Sequence, residues 1–219
     1  MDNDDYKSIV LSYEQEIYVS NYSDPEDSTN EISGEILAES EDGSRELAGK
    51  FKLYYVDLNR SFDNGINAFD VFDSHSQGLY DYYTDLFDGN EFSEKLQKHF
   101  NYGIYDSNLL ILDRLEIVPS YRGKKWGLKI LRALMDRFSY GAGIVAIKPF
   151  PLQHELNEDS SSEKKKWFEE MELSKFTQDK NEGMKKLIAH YGKLGFQHIN
   201  DTGYMVLSTC LKVPSIEDI

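Results

Sequence analysis

One stretch constrains this chain more than any other: LEIVPSYRGKKWGLKILRALMDRF, Leu115 to Phe138. The run SNLLILDRLEIVP, which leads into it, is apolar and β-branched, shows no helical period and stops at Pro119. It reads as a mostly buried strand. Beyond the turn, Leu128, Leu131, Leu134, Met135 and Phe138 recur at helical steps, so a helix with one apolar face follows. A helix that opens directly after a glycine turn presents backbone N–H groups without intrahelical partners, which is an anion site. Gly123 and Gly127 let a ligand approach the main chain. Arg122, Lys124, Lys125 and Lys129 bring cations, and Arg122 can grip a diphosphate through two donors. Taken alone, the same turn also reads as a solubilised surface turn. It has neither the spacing of a P-loop nor the three spaced glycines of a dinucleotide fingerprint.

The cations matter because the chain as a whole is acidic, with a formal charge of −15 over 219 residues. That balance excludes a general nucleic-acid binder, since phosphate backbones reward Lys and Arg. It suits a cationic acceptor, or solubility alone. A hydrophobic content of 40% is enough for a substantial core, and we expect one domain over 1–219. The single cysteine, Cys210, rules out a disulfide framework and a cysteine-rich zinc site, and no His-Glu-x-x-His spacing occurs. No metal is expected. The acidic N-terminus lacks a signal-peptide core, and no window approaches a membrane span. A cytoplasmic protein without membrane contact is the expectation, as a monomer or a homodimer.

Along 1–108 the pattern predicts a strand over Tyr6 to Ser20, then a hairpin whose two strands are joined at EDGS by an Asp-Gly turn. From Asn67 to about Asp88, Phe69, Phe72, Leu79, Tyr83, Leu86 and Phe87 predict one amphipathic helix, and a short second helix covers Phe92 to Phe100. GIVAIKPFPLQ reads as another buried strand, cut short by Pro149 and Pro151. The polar, charged segment 152–182 reads as an insertion: a lid, a binding loop or a plain solvated loop. Within it, Lys164 to Leu173 predicts a short helix with Trp167 and Met171 on its apolar face. GMKKLIAHYGKLGF predicts a helix up to Leu194 stopped by Gly195, and FQHIN and GYMVLSTCLKV predict an antiparallel pair around DTG.

The block LEIVPSYRGKKWG resembles the acyl-CoA signature of the GNAT superfamily of N-acetyltransferases, matching at Leu115, Ile117, Pro119, Tyr121, Arg122, Gly123, Lys124 and Gly127. HYGKLGF, from His190 to Phe196, resembles the end of that family's late helix. The resemblance covers about 109–209. It implies a mixed, mostly antiparallel central sheet flanked by helices, with a V-shaped cleft between two splayed strands that holds acetyl-CoA as co-substrate. By the same resemblance, backbone groups of Leu115 and Ile117 bind the pantetheine arm. Arg122, Gly123, Lys124, Lys125, Trp126, Gly127 and Leu128 enclose the pyrophosphate. Tyr191 stands where a general acid protonates the departing thiolate, and a backbone N–H near Ile117 steadies the oxyanion. Two departures stand out: Lys125 replaces the family's middle glycine, and Met184 replaces an Asn that many relatives carry.

An attacking amine must lose a proton, so a base is needed. Asp113 shares strand parity with Leu115 and Ile117 and is placed on their face; Glu116 has the opposite parity. Both also read as ordinary edge or salt-bridge carboxylates. Tyr80, Tyr82 and Tyr83 line an acceptor pocket or pack a helix, and His75, His154 and His190 are polar neighbours or structural. The implied function is acetyl transfer from acetyl-CoA to an amine of a small molecule or peptide. The alternative is a catalytically silent acyl-CoA-binding or protein-interaction module of the same fold.

Overall fold

The computed structural model describes residues 6–16, 24–156, 160–199, 201–215 and 217. It is a mixed α/β structure built on a seven-stranded sheet. The N-terminal part supplies β1 (Tyr6–Gln15), β2 (Thr29–Ser40) and β3 (Arg45–Val56), each antiparallel to the next. β2 and β3 form the expected hairpin, whose turn takes Gly43 to a φ of 83°. β1 ends at Gln15; residues 17–20 of the expected first strand lie outside the described residues.

Four helices follow: α1 (Leu58–Asp63), α2 (Ala68–His75), α3 (Gln77–Leu86) and α4 (Glu94–His99). The last two flank a small hairpin of β4 (Phe87–Asp88) and β5 (Glu91–Phe92). The single helix expected over Asn67 to Asp88 is in fact two. Ser76, extended at φ −163° and ψ 155°, ends α2 and caps α3, its hydroxyl accepting from the Leu79 N–H at 3.3 Å. A serine that can satisfy an orphan helix donor competes with continued helix, and the apolar period does not register the break. Tyr80, Tyr82 and Tyr83 serve packing: Tyr82 is buried against Tyr204, and Tyr83 lies among Phe69, Phe72 and Phe87.

The central strand β6 (Leu109–Ile117) pairs antiparallel with β3 and parallel with β7 (Ile144–Ile147), and α5 (Trp126–Phe138) connects them. α6 (Ser162–Glu170) and α7 (Lys180–Gly192) precede β8 (Gln197–His198) and β9 (Met205–Ser208). The strand order is β1-β2-β3-β6-β7-β9-β8, with every pairing antiparallel except β6 with β7.

Alternation divides the core between the two faces of the sheet. Leu110, Leu112, Val145 and Ile147 pack with Leu128, Leu131, Leu134 and Met135 of α5 and with Leu194 and Phe196. Leu109, Ile111, Ile144 and Ala146 pack on the other face with Leu58, Val71, Phe72, Leu79 and Leu96 of α1 to α4. β6 does not keep this parity to its end. β3 pairs Lys52 with Arg114 and Leu53 with Leu112, so Asp113 is an extra residue, a β-bulge. Beyond it Leu115 and Ile117 join the α5 face. Placing Asp113 beside Leu115 and Ile117 by parity is therefore corrected: odd numbers change faces at the bulge.

Candidate active site

β6 and β7 are paired from Leu109 and Ile144 only as far as Leu112 and Ile147. β6 continues to Ile117, whereas the chain after β7 leaves the sheet through Pro149 and Pro151, neither of which can donate a ladder hydrogen bond. A cleft of about 590 Å³ occupies the opening. Its walls include Asp113 to Ile117 on one side and Ile147 to Gln153 on the other, with the first turn of α5 and the last turns of α7 closing its ends. Of the residues expected at the site, Asp113, Leu115, Ile117, Arg122, Gly123, Lys125, Trp126, Gly127, Leu128 and Tyr191 all line this cleft. Lys124 does not, and neither does Met184; its neighbour Gly183 does.

The loop before α5 is held from below. Tyr121, 3% exposed, directs its hydroxyl to Glu46 on β3. Gly123 and Lys125 both adopt left-handed backbone, with φ of 84° and 62°. For Lys125 this conformation carries the strain of a side chain in a backbone region that favours glycine. α5 has no side-chain cap, and the Leu128 and Lys129 N–H groups both go to the Lys125 carbonyl. The N–H groups of Trp126 and Gly127 are thus the orphan donors of the helix start.

The Arg122 side chain takes a different course from the outward phosphate grip expected of it. Its Nε donates to the Ile117 carbonyl and one Nη to the Met171 carbonyl, both at 2.7 Å, and the guanidinium lies over the Phe176 ring at 4.9 Å. The Ile117 carbonyl is accordingly engaged within the protein. No carboxylate lies within ion-pair reach of Arg122 among the described residues, and burial lowers its basicity. The charges of Glu172 and Glu116 act on this half-buried cation from beyond ion-pair distance.

The segment 152–182 is neither a loose loop nor one long helix. α6 begins at Ser162, two residues before the expected start, because Ser161 caps it through the Lys164 N–H. Met171 and Leu173 are buried, and Met171, Leu173, Phe176 and Thr177 line the cleft. The segment is tied across β6: Glu116, 5% exposed, accepts from the Trp167 indole at 3.1 Å and from Arg114 at 3.3 Å. Arg114 also pairs with Glu155, which Lys164 approaches at 3.4 Å. Lys50 lies 4.1 Å from the Trp167 ring centroid. Glu116 is therefore a fastening residue.

Asp113 faces the other way. Its charge acts on Tyr54 and Tyr82, both on the α1 to α4 side, and the charges acting on it come from Lys52, Arg114, Glu155 and Glu31. Crowding by protein pushes its carboxyl above the ordinary carboxylate range although the side chain stays open to solvent. Across the cleft, Tyr191 is half-buried on α7, edge-on to His190 and Phe196, and desolvation pushes its phenol up to about 12. Lys148, Lys186, Lys193 and His190 complete the lining. His190 is among the polar neighbours expected from the sequence and Lys193 lies in HYGKLGF, whereas Lys186 shows only by its spacing from 187, 190 and 191 once that helix face is known to border a cleft.

Among the described residues there is no cluster of His, Cys, Asp and Glu that could hold a metal ion, and no helix long and apolar enough to cross a membrane. No family model and no curated protein matches the chain. Among solved structures it is similar to the crystal structure of a tyrosine-to-phenylalanine mutant of KacT, at 15% identity over 83% of this chain and 72% of that one, with a TM-score of 0.39. A likeness this loose carries nothing over to the present chain.

Proposed function

We propose that the protein is an acetyl-CoA-dependent N-acetyltransferase acting on an amine of a small molecule or peptide. The observation that carries this reading is the parting of the parallel pair β6 and β7 over a cleft with an uncapped helix start at one end and Asp113 and Tyr191 on opposite walls. Acetyl-CoA fits the donor set: a diphosphate finds the orphan N–H groups of Trp126 and Gly127, the half-buried guanidinium of Arg122 and the ammonium of Lys125. Leu115 and the β6 edge would flank the pantetheine arm. The co-substrate supplies an acetyl group already activated as a thioester.

The protein's own groups handle the protons. Asp113, held above the usual carboxylate range by desolvation, is suited to take a proton from an ammonium acceptor. Tyr191 keeps its proton throughout the physiological range and is suited to give it to the leaving sulfur. The test is release of free CoA thiol from acetyl-CoA over a panel of polyamines, aminoglycosides, amino acids and peptide N-termini. One saturable acceptor is the expected result.

A second reading, an acyl-CoA-binding module without turnover, is favoured by one observation: Arg122 already occupies the Ile117 carbonyl that the pantetheine arm would use. Tight acetyl-CoA binding with no thiol release over the whole panel would select it.

A further inference from the structure

We infer that His190, in its protonated form, borders the diphosphate site at the start of α5 and donates to the diphosphate, so that the protein takes up a proton when it binds a CoA thioester. This rests on the cofactor reading above and adds to it a residue and a pH dependence. A Cβ placed on Gly127 would lie 3.7 Å from Nε2 of His190 and 4.0 Å from the Ile117 side chain, with no other heavy atom nearer. Gly127 thus lets the imidazole edge stand a methyl's width from the first turn of α5, beside the N–H groups that a diphosphate would meet. His190 lines the cleft, and its ring stands edge-on to Tyr191 at 5.6 Å.

The surroundings favour the neutral ring while the site is empty of charge. Desolvation, then the Lys193 ammonium on the following turn, lowers the basicity of His190. Lys186, one turn earlier on α7, is paired with Glu182 at 2.6 Å, and Lys125 at the opening of α5 lines the same cleft. β6 meets it with Ile117, which carries no charge. A diphosphate entering the site reverses that field, since it brings negative charge and acceptor oxygens to a ring that then gains from being a cation. Affinity must therefore fall as pH rises through the titration of the bound form.

The experiment is calorimetric titration of acetyl-CoA into the full chain in two buffers of different ionisation enthalpy, between about pH 6 and pH 8, on the parental protein and on His190→Gln. The 3′-phosphate of CoA titrates in the same range, so His190→Gln is the reference. Binding to the parental protein should take up more protons than binding to His190→Gln, the difference being a substantial fraction of one proton. Over the two pH units the parental affinity should also weaken by about tenfold more. If His190→Gln does not fold, His190→Asn serves as the reference in its place. Equal proton uptake and equal pH slopes in the two proteins would overturn the role of His190 while leaving the cofactor reading intact. Pyrophosphate binding to a protein that ignores acetyl-CoA, with proton uptake that is lost in the His190 variant, would support the role of His190 and overturn the cofactor reading.

Discussion

The Arg122 guanidinium donates to the main-chain carbonyl of Met171 at 2.7 Å, fastening the loop that opens α5 to a segment 49 positions further along the chain. The same side chain holds the Ile117 carbonyl at the end of β6. One residue therefore joins the strand, the anion loop and the 152–182 segment. Lys in its place keeps the charge but cannot fork between two carbonyls. Arg122→Lys should weaken acetyl-CoA binding by about tenfold, the worth of a charge-assisted bond of roughly 1.5 kcal/mol, and expose 152–182 to limited proteolysis. Unchanged affinity with an unchanged digestion pattern would refute the coupling.

Lys125 is a left-handed residue with a side chain, at φ 62°. Such a residue costs about 1–2 kcal/mol, of which glycine recovers most but returns roughly 0.5–1 kcal/mol through its freer unfolded chain. Lys125→Gly should raise the melting temperature by about 1–3 °C. If the ammonium meets the diphosphate, acetyl-CoA affinity should fall at the same time, by about tenfold. Higher stability with undiminished affinity would remove Lys125 from the binding set.

Tyr191→Phe retains the ring and its packing against Phe196 but lacks the hydroxyl proton. The dissociation constant for acetyl-CoA should stay close to the parental value while kcat drops by about 10²-fold. Because the folded phenol titrates at about 12, above its unfolded value, folding favours the protonated form, and that stability is lost only as pH rises through the folded value. Over about pH 6 to 9 the parental kcat profile should show no alkaline fall from Tyr191. Parental turnover in Tyr191→Phe would mean that another donor protonates the thiolate.

Asp113 has its carboxyl raised, so folding penalises the charged form. The gain from the neutral form is present below the ordinary carboxylate pKa and is lost as pH rises through the raised one. At neutral pH Asp113→Asn should then leave the melting temperature unchanged or slightly higher while lowering kcat/KM for the amine by about 10²-fold. A loss of stability with kcat/KM intact would make Asp113 a structural carboxylate only.

Trp167 gives the nearly buried Glu116 its hydrogen bond from the 152–182 segment. Trp167→Phe removes the donor and should cost about 1–3 kcal/mol in chemical unfolding. Since the segment also lines the cleft, the amine KM should change more than the CoA dissociation constant. Equal loss of both would place the segment among the supports of the cofactor end.

The amino-acid sequence by itself determined what local chemistry decides. The strand that stops short of Pro119, the helix from Trp126 and the Asp-Gly hairpin follow from periodicity and from turn residues that satisfy backbone groups within a few positions, whereas α7 ends at Gly192 rather than at Leu194, three residues before Gly195 with its φ of 94°. The part of the cleft lining that lies in one strand–turn–helix unit and one late helix was legible for the same reason; the part supplied by Leu152, Met171, Leu173 and Phe176 was not. What only the tertiary structure decided is everything set by partners distant in sequence. The bulge that turns Asp113 away from Leu115 arises from the register between β6 and β3. The inward course of Arg122 depends on a carbonyl of Met171, and the burial of Glu116 on the indole of Trp167. A guanidinium or a carboxylate carries no sign in the sequence of whether a ligand, water or a remote stretch of the same chain will satisfy it, because that choice is made by packing.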